Sequence, residues 1–494
     1  MQENVSDKRN APRKALPANL QQTLSLLRDR FGDSSDFYAK PIQLHGISCA
    51  IVFFTGLSSP EKLWVMALDA ITREPEPMPS GPALMAFLLT RMAVPAESAA
   101  VSEQDALVAK LCGGTSVLLI DGCAGGIAFA TQDQPQRSVS IPEGEGTLRG
   151  SQEGFTELLR SNISLLRRQF RGGDLCVEIA VAKCRADTEY CLCYDKRLAP
   201  PGLVARVRKI LADIELPVLL DTAYLASFFK QDKLNLFPAA GYTERPATAC
   251  ARLCEGKIII LVAGCPSAMV LPSFFAEHFE TLDDYASGAV FAGLMRLLKY
   301  LAFLFSVFGP GFYLLAVHFS PEMLPIQLLC RIARGEADTP LPLGVEMLAV
   351  TFLLEIVREA GLRAPHAIGG VVSLVGGLIV GETAVSAGLT SVPVLTVSAA
   401  ATVATLAVPS LYEQSILFRF LCILAVGAGG LPGFVCCAVS LLAMACGTSQ
   451  FGYDYLYPLA PLSSASWRDG FVRSIWSRLA GKGYTVGDDE KSKN

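Results

Sequence analysis

The chain changes character near Tyr285: what precedes it reads as the alternating strands and helices of a water-soluble domain, and Leu298 to Cys446 reads as membrane. Between Phe312 and Phe451 the only basic residues are Arg331, Arg334, Arg358, Arg363 and Arg419. Uncharged apolar runs recur there at a length that fits a hydrocarbon core of about 30 Å. The expected fold class is therefore α/β plus all-α membrane: a soluble N-terminal α/β domain followed by a polytopic helical domain of five or six segments.

With 494 residues, 51% of them apolar, there is room for two or three folding units. The net charge of −4 offers no global basic field, so nucleic acid is not an expected partner. The opening MQENVSDKRNAPRKALPANL is polar and lacks an apolar h-region, so no signal peptide is predicted and the soluble domain is expected to be cytoplasmic. Fifteen cysteines, among them the Cys191/Cys193 and Cys250/Cys254 pairs, and four scattered histidines match neither a disulfide framework nor a zinc site. Reduced, mostly buried thiols are expected, with no metal and no cofactor.

The soluble part is built twice. Leu111 to Ala128 falls without a gap on Leu253 to Val270, a shift of 142 residues, with Leu, Cys, Gly, Gly and Cys coinciding. The same shift lays Ser48 to Val52 on Tyr190 to Tyr194, and SPEKLWVMALDAI on PPGLVARVRKILADI. Each copy reads as strand, helix, further helical material, then helix, strand, tight turn and strand, with Gly122 and Gly264 in the turns. Continuous apolar strands such as Val117 to Ile120 and Ile258 to Val262 imply sheets covered by helices on at least one face. The expected organisation is a tail (1–36), a first α/β subdomain (37–135), a linker and connecting helix (136–175), a second subdomain (176–284), a transmembrane domain (285–450) and a C-terminal tail (451–494).

The connecting helix is expected from about Gln152 to Phe170, capped by Ser151, with an apolar stripe of Phe155, Leu158, Leu159, Ile163 and Leu166. Two readings fit its arginines. Arg137, Arg149, Arg167 and Arg168 form an anion or anionic-lipid site, or they pair with Glu143, Glu145, Glu153 and Glu157 and hold subdomains or subunits together.

At this connector the sequence resembles the A-subunit family of spore germinant receptors. The shared pattern is Arg137, Pro142, Arg149-Gly150, Gly154 to Glu157, Asn162 and Arg167-Arg168. It continues through Glu244-Arg245-Pro246, EGKIIILVAGCP, Phe319 to Pro325, Glu355 to Gly361, Ile368 to Leu389 and Phe451 to Pro461, and departs at Ser151, Ser320 and Asp454. The resemblance implies a homo-oligomeric subunit of the inner spore membrane. It also implies a transporter-like B partner and a lipoprotein C partner, with ions conducted when nutrients are sensed. Arg137, Arg149, Glu157, Asn162, Arg167 and Arg168 are the candidate subunit or subdomain interface.

In the membrane half, Leu298 to Phe319 is long enough to span, with Gly309-Pro310-Gly311 expected to interrupt it. Such a break must face other protein or water. Leu343 to Val357 carries Glu346 and Glu355 on opposite sides and reads as a tilted or half-inserted element. Ile368 to Leu389 is glycine-rich, including the close-contact pair Gly377 and Gly381. Leu417 to Cys446, broken by GAGGLPG, is either a hairpin of two short spans or one long interrupted helix. Tyr453, Tyr455, Tyr457, Trp467 and Trp476 suit an interfacial belt, and the basic tail favours the cytoplasm, hence six crossings rather than five.

Glu355 has Arg358 three residues on, and a local pair accounts for it. Glu382 has no nearby base, so it is protonated, paired with another helix, or set on a cation path. The candidate pathway residues are Glu382, Glu346, Gly377, Gly381 and Val385, and the excess of acids favours monovalent cations. Alternatives are a secondary transporter, or a non-conducting scaffold or signal-relay subunit of the receptor. No Walker loop, dinucleotide fingerprint, HExxH or GxSxG is present, so an enzyme is not expected and no catalytic residue is assigned.

Overall fold

The computed structural model describes residues 14–32, 34–59, 61, 78–90, 98–132, 142, 144–147, 149–230, 235–238, 240–337, 339–363, 381–457, 459–460, 473 and 486. They divide into an α/β unit, holding residues up to 230 with 240–273 and 486, and a helical unit, holding 235–238 with 274–473.

The α/β unit runs α1 (Leu20–Phe31), β1 (Phe37–Leu44), β2 (Ile47–Phe54), α2 (Gly81–Thr90), β3 (Ser98–Val101), α3 (Gln104–Cys112), β4 (Ser116–Ile120) and β5 (Gly126–Phe129). The second copy runs α4 (Leu159–Gln169), β6 (Leu175–Val181), β7 (Glu189–Asp195), α5 (Pro201–Asp213), α6 (Ala223–Phe229), β8 (Gly241–Thr243), α7 (Pro246–Cys254), β9 (Ile258–Val262) and β10 (Ala268–Leu271). Each forms an antiparallel five-stranded sheet, in the orders β1-β2-β4-β5-β3 and β6-β7-β9-β10-β8, so the sequence repeat is a repeat of topology. The turns between the paired apolar strands hold Gly122 at φ 80° and Gly264 at φ 88°.

Burial follows the two-residue period of a strand. Ala50, Val52, Val117 and Leu119 face Leu24, Leu27 and Phe31 of α1 and Leu107 and Leu111 of α3. Ile51, Phe53, Leu118 and Ile120 face Leu84 and Leu88 of α2. Helices on both faces explain why β4 is buried at every position. In the second copy α4 and α7 cover Cys191, Cys193, Ile259 and Leu261. Helix α4 therefore occupies the place of α1.

That helix starts at Leu159, not near Gln152. Asn162, fully buried, accepts a hydrogen bond from the Thr156 amide at 2.8 Å and donates to the Thr156 carbonyl at 2.6 Å, which holds the preceding residues outside the helix. The edge strands β1, β3, β6 and β8 extend the expected sheets. The helix expected in the first copy at SPEKLWVMALDAI lies almost wholly outside the described residues.

The helical unit contains α8 (Ala289–Leu314), a π-turn (Leu315–Phe319), α9 (Ile326–Ala337), α10 (Leu343–Arg363), α11 (Val392–Thr405) and α12 (Tyr412–Gly447). Helix α8 runs through Gly309-Pro310-Gly311 without the expected break. Helix α10 continues to Arg363, a full 21 residues. Among the described residues two stretches, Ala289–Phe319 and Pro409–Gly447, are long and apolar enough to cross a membrane, and most of the expected element from Ile368 to Leu389 lies outside them.

Helix α12 is not straight. Gly430 adopts φ 57°, ψ −132°, and Pro432 follows it. Across that bend the thiols of Cys422 and Cys437 touch, although about 22 Å would separate them along a continuous helix. Leu411 and Phe418 share a cluster with Leu441 and Ala445. Of the two readings of the last apolar stretch, the arms fold back as a hairpin.

The bundle has two ends. At one, Tyr300 and Phe303 of α8, both feet of the hairpin, Phe237 and Tyr455 form an aromatic core. At the other, the Phe319 ring packs where a side chain on Gly430, the hairpin tip, would sit. Tyr453, Tyr455 and Tyr457 are 3%, 0% and 6% exposed. They are core residues rather than the expected interfacial belt, because the chain after α12 turns back into the bundle foot. Trp467 and Trp476 lie outside the described residues.

Candidate functional site

Proline has no backbone N–H, so Pro310 deprives the Ser306 carbonyl, four residues earlier, of its helical partner. In an apolar bundle that oxygen needs another donor. Arg419 of α12 supplies it: Nε donates to the Ser306 carbonyl at 2.7 Å. The same guanidinium, 0% exposed, donates to the Ala401 carbonyl at 3.1 Å, to Thr402 Oγ1 at 3.2 Å and to Thr405 Oγ1 on α11. Its charge is met by Glu355 of α10, at 3.2 Å.

Glu355 also receives Arg358 at 2.9 Å and the Tyr412 hydroxyl at 3.1 Å, and the Arg358 guanidinium stacks 3.7 Å over the Tyr412 ring. The local Glu355–Arg358 pair is present, but it is half of the story. One buried cation ties α8, α10, α11 and α12 together. Gly311 makes room for this approach, since a side chain there would meet the Cys422 sulfur.

Of the residues singled out for an ion pathway, Glu382 lies exposed in a short helical stretch, 381–386, and makes no hydrogen bond or ion pair with the described residues. Gly381 faces Leu395 of α11, and Val385 is half-buried. Gly377 lies outside the described residues. Glu346 is elsewhere: it is 1% exposed and accepts from Thr390 Oγ1 at 2.8 Å and from the Ser391 amide at 2.6 Å.

The residues singled out for an interface in the α/β unit separate into distinct roles. Arg167 of α4 reaches into the first copy and grips Asp36 with two bonds, Nε to Oδ2 at 2.7 Å and Nη2 to Oδ1 at 2.8 Å. Both side chains are 1% exposed. Ser34 joins the pair, accepting from Arg167 at 2.8 Å and donating to Asp36 at 2.7 Å, and the guanidinium sits 4.4 Å over the Phe54 ring. Burial alone would lower the Arg167 pKa, but the Asp36 charge and hydrogen bonds outweigh it and hold the pKa above its ordinary value.

Arg168 pairs with Glu153, while Arg149 and Glu157 are exposed. Glu145 turns to Thr243, accepting at 2.9 Å, and to Arg245. Arg137 and Glu143 lie outside the described residues. The Arg-Glu pairing expected for the connector holds for Arg168. The partner of Arg167 is an aspartate 131 positions away.

The thiols are free, most of them buried, and no group of three or more His, Cys, Asp or Glu side chains is placed to hold a metal among the described residues. Arg419 was the bridging side chain that sequence reasoning left aside. Its signal was a lone basic residue in an apolar run, facing a proline-bearing helix.

Comparison with known proteins places these features in context. Residues 25–482 match the family described as Bacillus/Clostridium GerA spore germination protein. Spore germination protein KA of Bacillus subtilis (strain 168) is 30% identical over 464 residues, 93% of this chain and 85% of that protein. Spore germination protein GerLA of Bacillus cereus is 29% identical over 469 residues, 94% and 95% of the two chains. Among solved structures, the N-terminal domain of the A subunit of the Bacillus megaterium spore germinant receptor GerK3 aligns with a TM-score of 0.43 at 21% identity, covering 54% of this chain and 99% of that one. The family match spans both the duplicated α/β unit and the helical unit, and this chain belongs to the GerA spore germination protein family.

Proposed function

We propose that this chain is the A subunit of a germinant receptor in the inner spore membrane. It assembles as a homo-oligomer with B and C partner subunits and conducts monovalent cations when a nutrient is sensed. The observation that carries the reading is the family match through residues 25–482, which leaves neither unit without a counterpart in germination proteins.

Six crossings are supported by the path of the bundle. Helices α8, α10 and α11 and the two arms of α12 run between the same two ends, and Arg363 and Ser391 stand at opposite ends. An even number returns the chain to the side from which it entered. Glu382, exposed and flanked by small residues, supports a shared aqueous path between copies, because a carboxylate facing lipid is costly.

The test is the mass of the detergent-solubilised particle together with cation flux in liposomes. A multimer that passes cations, with flux reduced by Glu382→Gln, is expected. A monomeric particle and silent liposomes would overturn the channel reading, leaving the scaffold alternative.

A further inference from the structure

At the Phe319 end of the bundle the carboxyl groups of Glu336 and Glu346 act on one another, and among the described residues neither has a cation as partner. Glu346 uses one oxygen for Thr390 and Ser391, while its other oxygen, Oε2, is buried with no hydrogen-bond partner among the described residues. Glu336, in the last turn of α9, also buries an unpartnered oxygen, and the buried Tyr313 hydroxyl of α8 faces it without closing a hydrogen bond of ordinary geometry. The charged and titratable groups acting on Glu336 are Glu346 and Tyr313.

An independent observation comes from Ser391. It stands at the N-cap of α11, where a serine hydroxyl normally accepts from a backbone amide of the first turn. Here the side chain makes no cap bond. It is 3% exposed, its hydroxyl has no partner among the described residues, and its amide is committed to Glu346. A buried polar atom left without a partner is costly, so several at one place call for a ligand.

We propose that Glu336, Glu346 and Ser391, with Tyr313 alongside, bind a divalent hard cation of the calcium class. Every donor is oxygen, which disfavours thiol- and imidazole-seeking metals. Two carboxylates in a buried setting are neutralised by a double charge and only half neutralised by a single one. The donors come from four separate segments, which suits the flexible coordination of calcium better than the rigid octahedron of magnesium. The bound ion ties the end of α9 to α10 and to the start of α11. The site does not depend on conduction through Glu382.

Full-length protein in detergent is titrated with CaCl2 against NaCl of matched ionic strength, reading the unfolding temperature. The temperature is expected to rise with calcium and not with sodium, and the half-effect concentration to increase about tenfold or more in Glu336→Gln and Glu346→Gln. Terbium added in place of calcium should show tyrosine-sensitised emission that Tyr313→Phe reduces and CaCl2 displaces. Glu336 is half-buried and its glutamine variant keeps the side-chain shape, so it carries the test if Glu346→Gln fails to fold. An absent calcium response, or one identical in wild type and Glu336→Gln, overturns the site.

Discussion

A proline within α8 and an arginine on α12 solve one problem between them. Pro310 frees the Ser306 carbonyl, and Arg419 occupies it while placing its charge against Glu355. Removing one partner of a buried pair leaves an uncompensated charge, so Arg419→Ala should destabilise the protein by about 3–5 kcal/mol, measured by thermal unfolding in detergent. The Arg419→Met, Glu355→Gln double variant should lose less than the two single variants combined, because the Arg419–Glu355 contact is lost only once. In the α/β unit, Arg167→Lys should fail to rescue the loss in Arg167→Ala, since lysine cannot make the two-bond grip on Asp36 or lie flat on Phe54. Equal stability of Arg167→Lys and wild type would contradict that account. Only one of these cations was readable beforehand: Arg167 stood in a cluster, whereas Arg419 gained its meaning from Pro310, distant in sequence.

Among the elements, the hairpin of α12 makes the sharpest distinction. A bifunctional thiol reagent of short reach should link Cys422 to Cys437, with Cys422→Ser and Cys437→Ser as controls. A straight α12 would leave both thiols unlinked. Gly430→Ala should cost about 1–3 kcal/mol in the same thermal assay, because φ 57° with ψ −132° is a conformation that side chains resist. At Gly433 a side chain would run into the Ala425 backbone, which is further evidence of how tightly the arms close. The apolar strands and the duplication were legible in the sequence because continuous burial writes a continuous apolar run. Strand β1, with the sequence FYAKPIQL at a sheet edge, was not, since its residues are largely half-buried or exposed and carry no such run.

At the scale of the whole molecule, the apolar side chains exposed on α8 and α12, including Val290, Leu301, Leu424 and Leu442, need lipid or neighbouring copies to cover them. On the proposed homo-oligomeric reading, crosslinking in native membranes should yield ladders above the monomer, and bands of the single chain alone would argue against assembly. By itself the sequence determined the soluble and helical halves, the internal repeat and the family, because each is written in local composition or in residues that recur at one spacing. Only the tertiary structure decided that the last apolar stretch doubles back, that Tyr455 is core, and that Glu346, Glu355, Arg167 and Arg419 each meet partners far along the chain. The reason is physical: a hydrophobic period reports which face is buried, but a buried charge is explained only by the group that folding brings against it.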